Sequence, residues 1–261
     1  MNMDRNKDRK KIVGVFFVIA VVIGVFFLFP DLLPAVDDAK APVHTYLSDY
    51  YIENSLEDTG AHNMVTAVLA DYRGFDTLFE TCVMFLAGVT ALMVLSTTAK
   101  VTKPERSRKE RLQISFGSTV LDIAFRIIVP VIVIYAFYVL VHGELSLGGG
   151  FQAGALLAIA YMIDRIIPSF NSSLGNLKEE TAAVIAGVGV FIYILTGLLP
   201  MAGNGNFLEY GKLPFGADTA EQIRQLHGTG ILLIEIGVVV CVMATIINIL
   251  EVVLERTEFD D

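Results

Sequence analysis

Thr181–Leu208, TAAVIAGVGVFIYILTGLLPMAGNGNFL, is a stretch of 28 residues without a charged side chain. A helix needs roughly 20 predominantly apolar residues to cross the hydrocarbon core of a bilayer, at about 1.5 Å of rise per residue. Working outward, long uncharged runs recur at Ile12–Phe29, Thr81–Ala99 and Leu145–Ile163. Two more stretches, Thr119–Val141 and Leu226–Leu250, are apolar apart from one or two ionisable groups. The fold class read from this pattern is an all-α integral membrane protein of about six transmembrane helices. A membrane β-barrel is excluded, since its strands alternate with period two and these runs are continuous.

Composition agrees with that reading. Of the 261 residues 54% are hydrophobic, and mean hydropathy is +0.61. Soluble domains sit near about 45–50% apolar by a looser count. Cys82 and Cys241 both fall within apolar runs, where they read as small buried hydrophobes rather than ligands or a bridge. The sequence holds no Cys/His cluster, P-loop, dinucleotide fingerprint or G-x-S-x-G elbow, so no cofactor, metal or enzymatic centre is expected. The net charge of −9 argues against a nucleic-acid partner. Arg5, Lys7, Arg9, Lys10 and Lys11 precede the first apolar run, which is longer than a signal-peptide core and lacks a small-x-small cleavage site. An uncleaved first span is expected.

Lys and Arg collect on the cytoplasmic side of membrane proteins. With the N-terminus inside, that side gathers the five N-terminal cations, then Lys100, Lys103, Arg106, Arg108, Lys109 and Arg111, then Arg165, Lys178 and Arg256. The opposite side holds Lys40, Arg73, Lys212 and Arg224, while Arg126 lies within a span. Both termini are therefore expected in the cytoplasm. The basic stretch Lys100–Gln113, KVTKPERSRKERLQ, reads as a cytoplasmic loop joining two modules: residues 1–99 with two spans, a linker over 100–113, and residues 114–261 with four spans. Pro30–Ala61 is acidic. His62–Tyr72 places Met64, Val65, Val68, Leu69 and Tyr72 on one helical face, as in a short helix at the membrane surface or against a partner. Met201–Arg224, rich in Gly and Asn, is expected to be irregular.

Ionisable groups at membrane depth are costly and default to functional candidates. Glu80 lies just inside the second span, after Asp71, Arg73 and Asp76. It either caps its helix, since Thr77-Leu78-Phe79-Glu80 fits a capping box, or shares a cation or proton path with Asp76 four residues earlier. Glu235 sits within ILLIEIGVVV with no cap to explain it. Desolvation favours its protonated form or a cationic partner, and the alternative is a hydrogen bond that fixes packing. His227, at the start of the same helix, could feed protons to Glu235 through water. Asp122 and Arg126 are four apart and read as neutralising each other. His142 and Glu144 read as solvated loop residues. Gly148, Gly149 and Gly150 open the fourth span, where Gly150 and Gly154 make a small-xxx-small packing face. The functional alternative is a broken helix lining a hydrated cavity.

Two segments carry a family resemblance. His142–Gly154, HGELSLGGGFQAG, resembles the signature of the B-type subunit of Mrp-type (Mnh) multisubunit Na+/H+ antiporters, with Leu147 where the family usually has proline. The similarity runs over about Ser115–Leu254 and includes LHGTGILLIEIGV. Asn63–Glu80, NMVTAVLADYRGFDTLFE, resembles the C-terminal part of the large A-type subunit of the same antiporters. Membrane-bound hydrogenases carry that part as a small separate chain, their E-type subunit; the fit covers about Ile12–Thr98. The resemblance implies a non-redox membrane subunit of an antiport module in a prokaryotic cell membrane. Other antiporter subunits, or hydrogenase and related redox subunits, are the implied partners, and Na+ and H+ the implied ions. It also implies an ion path through Glu80, with Glu235 at a matching acidic position; Asp71, Asp76 and His227, read from their positions near these spans, complete the candidate path. His142, Gly148, Gly149, Gly150, Phe151, Gln152 and Gly154 carry the B-type signature, read as structural. The competing readings are a self-contained secondary transporter and a membrane anchor.

Overall fold

The structure is a computed structural model, and it describes residues 15–25, 27, 41, 46–96, 119–166 and 177–260. The basic linker 100–113, the N-terminal cations and most of the acidic stretch after Phe29 lie outside the described residues, as do the side chains of Asp122 and Arg256. The chain divides into two compact units, Met1–Glu53 and Asn54–Asp261. The first contains the apolar helix α1 (Val15–Val25) and the beginning of α2 (Tyr46–Thr59).

The second unit is a helical bundle. It comprises a one-turn α3 (Met64–Thr66), α4 (Gly74–Ser96), α5 (Thr119–Val141), α6 (Gly150–Ile166), α7 (Glu179–Ala202) and α8 (Ala220–Asp260). Among the described residues every regular element is helical. Among the described residues four helices are long and apolar enough to cross a bilayer: Gly74–Leu95, Ile123–Val141, Glu179–Ala202 and Ala220–Leu254. The uncharged run Leu145–Ile163 does not start its helix at Leu145. The backbone turns through Gly143–Gly149 first, and α6 keeps 17 residues.

α8 is the centre of the bundle. Of its most apolar window 67% is buried within the chain, against 17% for α4 and 22% for α5. Lipid tails are as apolar as leucine, so membrane helices associate through close packing of small residues rather than by burying oil. The contacts of α8 follow that rule. A Cβ at Gly150 of α6 would lie 2.6 Å from the Glu235 carbonyl, and one at Gly154 2.9 Å from the Val239 carbonyl. On α4, a Cβ at Gly88 would lie 3.0 Å from the Thr245 side chain, and Asn248 Nδ2 donates to the Gly88 carbonyl (3.0 Å). Cys241, fully buried, donates to the Thr81 carbonyl at 3.5 Å. The faces turned away from α8 keep large apolar side chains exposed, among them Phe79, Val83 and Leu86 of α4 and Ile127, Ile134 and Phe137 of α5.

The connection between α7 and α8 is ordered where its Gly and Asn content suggested irregularity. Leu208, Tyr210 and Leu213 are buried in the main core with Tyr193, Ile231 and Ile234. The Leu208 N–H donates to the Gly197 carbonyl (3.0 Å), and Tyr210–Lys212 form one 3-10 turn. Large side chains seated in the bundle fix this loop; its glycines only permit the path.

Candidate functional site

The chain from Asn63 to Gly74 passes from α3 into a π-helical turn over Ala67–Tyr72. In π geometry each N–H reaches five residues back, as the Arg73 N–H does to the Val68 carbonyl (2.8 Å). Hydroxyls from elsewhere donate to carbonyls around this turn: Thr77 to Leu69 (2.7 Å), Tyr210 to Ala70 (3.1 Å) and Tyr193 to Gly74 (2.8 Å). The capping box read at Thr77–Glu80 is therefore not formed. α4 begins three residues earlier, at Gly74, and the Thr77 hydroxyl is occupied by Leu69. The widened turn also redirects the predicted apolar face. Thr66, Ala67 and Ala70 point into the core, and Met64, Val65 and Leu69 are exposed.

Asp71 stands on the π turn and meets His227 of α8, 156 residues away. His227 Nδ1 and Asp71 Oδ2 are 2.5 Å apart, and both side chains are largely buried. An ionised carboxylate only accepts, so Nδ1–H is the donor. The Tyr210 ring stands edge-on to the imidazole at 6.3 Å. Burial pushes the Tyr210 hydroxyl well above the usual phenol range, so it stays protonated as a donor to Ala70. Eight residues separate His227 from Glu235, which puts them about 80° apart around the helix. The structure thus gives His227 a different carboxylate from the one expected.

Asn63 joins this segment to the glycine loop. Its Nδ2 donates to the carbonyls of Gly143 (3.1 Å) and Ser146 (2.7 Å), and its backbone N–H to the Glu144 carbonyl (2.9 Å). The Thr66 hydroxyl also donates to Gly143 (2.7 Å), while Asn63 Oδ1 caps α3 at the Val65 N–H. Asn63→Ala removes the cap and both amide bridges. We expect a loss of about 2 kcal/mol, the sum of a cap and one net hydrogen bond, read as a lower thermal midpoint of the purified protein.

The held loop forms a lid over Glu235, which is buried at 8% exposure. A Cβ at Gly149 would lie 2.8 Å from Glu235 Oε1, and one at Gly143 3.3 Å from the same atom. Gly149 has φ +126°, a conformation that side-chain-bearing residues rarely adopt, so close approach and backbone both require glycine there. Among the described residues, Glu235 Oε2 is buried without a hydrogen-bond partner. Glu144, read from sequence as a solvated loop residue, is half-buried, and burial raises its carboxyl above the usual range. It lines an open cleft of about 660 Å³ with His62, Arg224, Gly228, Leu232 and others.

The remaining candidates are scattered. Asp76 pairs with Arg73, both partly exposed. Glu80 is exposed on α4, within electrostatic reach of Tyr193. His142 stacks on Tyr138 with ring centroids 4.8 Å apart. Phe151 packs on the main core and Gln152 is exposed. The expected Asp122–Arg126 pair falls outside the described side chains. Near the far end of α8, Arg165 binds Glu251 in a bidentate fork (2.7 and 3.0 Å), and the Tyr161 hydroxyl donates to the same carboxylate (2.7 Å). No residue of that triad stood out in the sequence as a site, because Glu251 lies 86 and 90 residues from Arg165 and Tyr161. Among the described residues no three His, Cys, Asp or Glu side chains converge to hold a metal ion.

This is a helical protein with four candidate membrane spans among the described residues and buried carboxyls around one central helix. Residues 120–248 match the family model described as a domain related to the MnhB subunit of Na+/H+ antiporter, and residues 17–113 match that of the E-type subunit of MBH. Over these two stretches the chain is similar to an MnhB-related domain and to an MBH E-type subunit. A Rhizobium meliloti chain described as a probable K+/H+ antiporter A/B subunit is 25% identical over 67% of this chain and 20% of its own length. The B-type Na+/H+ antiporter subunit of Bacillus subtilis is 23% identical over 49% of this chain and 91% of its own. The chain thus spans 20% or less of the first relatives it matches, which are the large subunits. In the Mrp complex from Dietzia sp. DQ12-45-1b, one chain superposes with TM-score 0.65 at 25% identity, over 91% of this chain and 25% of that one. A chain of the membrane-bound sulfane sulfur reductase (MBS), an archaeal respiratory membrane complex, superposes with TM-score 0.63 at 24% identity, over 92% and 97%.

Proposed function

We propose that this chain is a non-catalytic membrane subunit of an Mrp-type cation/proton antiport module, free-standing or attached to a redox arm, in a prokaryotic cell membrane. Six spans with both termini in the cytoplasm, and modules over 1–99, 100–113 and 114–261, complete the reading. The observation that carries it is the junction between the two family-matched segments. Asp71 of the E-type segment and His227 of the MnhB-related domain form one buried pair, and Asn63 bonds the glycine loop across the same junction. A buried pair of this kind is expensive to maintain in an anchor and useful in an ion path. Exposed apolar faces on α4 and α5 suit lipid and neighbouring subunits. Asp71, Asp76, Glu80, His227 and Glu235 are the proposed path, with Na+ and H+ as the ions.

Extraction in mild detergent, followed by identification of what co-purifies, tests the subunit reading. Na+ transport by the chain reconstituted alone would overturn it. Glu80→Gln and Glu235→Gln in the assembled complex are each expected to lower Na+-dependent proton movement in vesicles at least about tenfold, the scale of a group whose protonation must change during transport. Normal transport by both variants would leave an anchor.

A further inference from the structure

We infer that Glu144 and Glu235 form a proton-transfer couple, in which Glu144 takes a proton at the open cleft and hands it to the buried Glu235. The inference rests on the antiport reading and adds to it a point of proton access.

The geometry comes from one face of α8. Gly228 and Leu232 line the cleft, and Glu235 is the next residue of that face, since positions i, i+4 and i+7 align on a helix. Glu144 Oε2 lies 3.4 Å from where a Cβ on Gly228 would stand, so its carboxyl rests against the same face. The residue before it, Gly143, rests against Glu235 Oε1. The two acids thus meet at the same loop, near enough to influence each other electrostatically. Among the described residues Glu235 Oε2 is buried and has no hydrogen-bond partner, so it can take a hydrogen.

The other charged groups facing Glu144 are His62, Glu221 and Arg224. Arg224 is already paired with Glu221 (2.6 Å), and His62 is exposed at the cleft. His142, on the same loop, is stacked on Tyr138. On the neighbouring helices the Tyr193 hydroxyl of α7 donates to Gly74 and lies within electrostatic reach of Glu80 of α4, whereas the charged group that acts on Glu235 is Glu144. Two acids in one poorly solvated site share a proton more readily than they carry two charges. The step balances through one intervening solvent molecule: the Glu144 O–H bond breaks and an O–H bond forms at Glu235 Oε2, turning Glu144–COOH and Glu235–COO⁻ into Glu144–COO⁻ and Glu235–COOH, and a hydronium ion entering the cleft then reprotonates Glu144 and is left as water.

The test uses the purified complex. Infrared difference spectra across a pH titration are expected to show a protonated-carboxyl band that Glu235→Gln abolishes and Glu144→Gln shifts to different pH. Antiport in vesicles is expected to fall about tenfold in Glu144→Gln. That is less than the ~100-fold of a positioned group in a dry site, because cleft water partly substitutes. Glu144→Asp is expected to recover part of the loss, and the Glu144→Gln/Glu235→Gln double variant to transport no worse than Glu235→Gln. An unchanged rate, pH profile and band in Glu144→Gln overturns the couple, as does a band that responds to Na+ at fixed pH, which marks a cation site. Where Glu144→Gln does not assemble, Gly228→Val narrows the cleft beside the Glu144 carboxyl without changing either acid, and normal flux there overturns the proposal. A wild-type complex without antiport would defeat the functional reading alone, since the infrared coupling is measured independently.

Discussion

Alanine in place of Glu251, or of Arg165, lowers the stability of the bundle by about 3 kcal/mol or more. The two side chains are 7% and 16% exposed and joined by two short hydrogen bonds. Removing either leaves its partner as an uncompensated charge in a poorly solvated place, and that residual charge dominates the cost. Glu251→Ala also strips the acceptor from the Tyr161 hydroxyl, which in turn accepts from the Leu177 N–H, the lead-in to α7. Arg165→Met with Glu251→Leu removes both charges and keeps the volume, so it is expected to cost less than either single alanine. The readout is the labelling rate of Cys241 by a membrane-permeant maleimide, because this thiol is fully buried and reports opening of the bundle. A double variant as damaged as the singles would mean that packing, not charge, holds this end.

Helix content was written in uncharged length, and length alone places α4, α5, α7 and α8. What length cannot show is where a helix begins. Thr77 looks like a cap because Glu80 follows it at capping-box spacing, yet the helix begins three residues further back, at Gly74 after the π turn. A π turn differs from an α turn by one residue in its hydrogen bonds, and no side-chain pattern at Ala67–Tyr72 records that. Asp71 and His227 were each visible as ionisable groups near membrane spans. Their pairing was not, since it depends on how α8 rotates against the E-type segment. Glu144 and Glu251 were harder still. Both sit at the ends of apolar runs, where a charge ordinarily meets water, and only tertiary neighbours make them half-buried or buried. Glu235 was legible for the opposite reason: nothing local could solvate it.

Gly189→Ala is the second large effect expected, although it adds a single carbon. α7 and α8 cross where Gly189 and Gly237 face each other. A Cβ at 189 would stand 2.6 Å from the Gly237 carbonyl oxygen, and one at 237 would stand 2.8 Å from the Gly189 carbonyl. The obstacle in each case is backbone, which cannot swing aside as a flexible side chain would, so the helices must separate. Overpacking costs about 1–3 kcal/mol, and a backbone-to-backbone clash belongs at the upper end. The damage should also travel. Tyr193 lies one turn along α7 from Gly189, and its hydroxyl holds the Gly74 carbonyl where the π turn meets α4. Moving α7 outward pulls that hydroxyl away, loosening the segment that presents Asp71 to His227. Gly187→Ala is the control, since its Cβ would meet only the Phe85 ring at 3.5 Å, an ordinary contact. Faster Cys241 labelling and weaker antiport in Gly189→Ala, with neither in Gly187→Ala, would show that the ion path depends on how closely two glycines let α7 approach α8. Equal behaviour of the two variants would show that the bundle tolerates separation there, and that the Asp71–His227 pair is held by Asn63 and Tyr210 without help from α7.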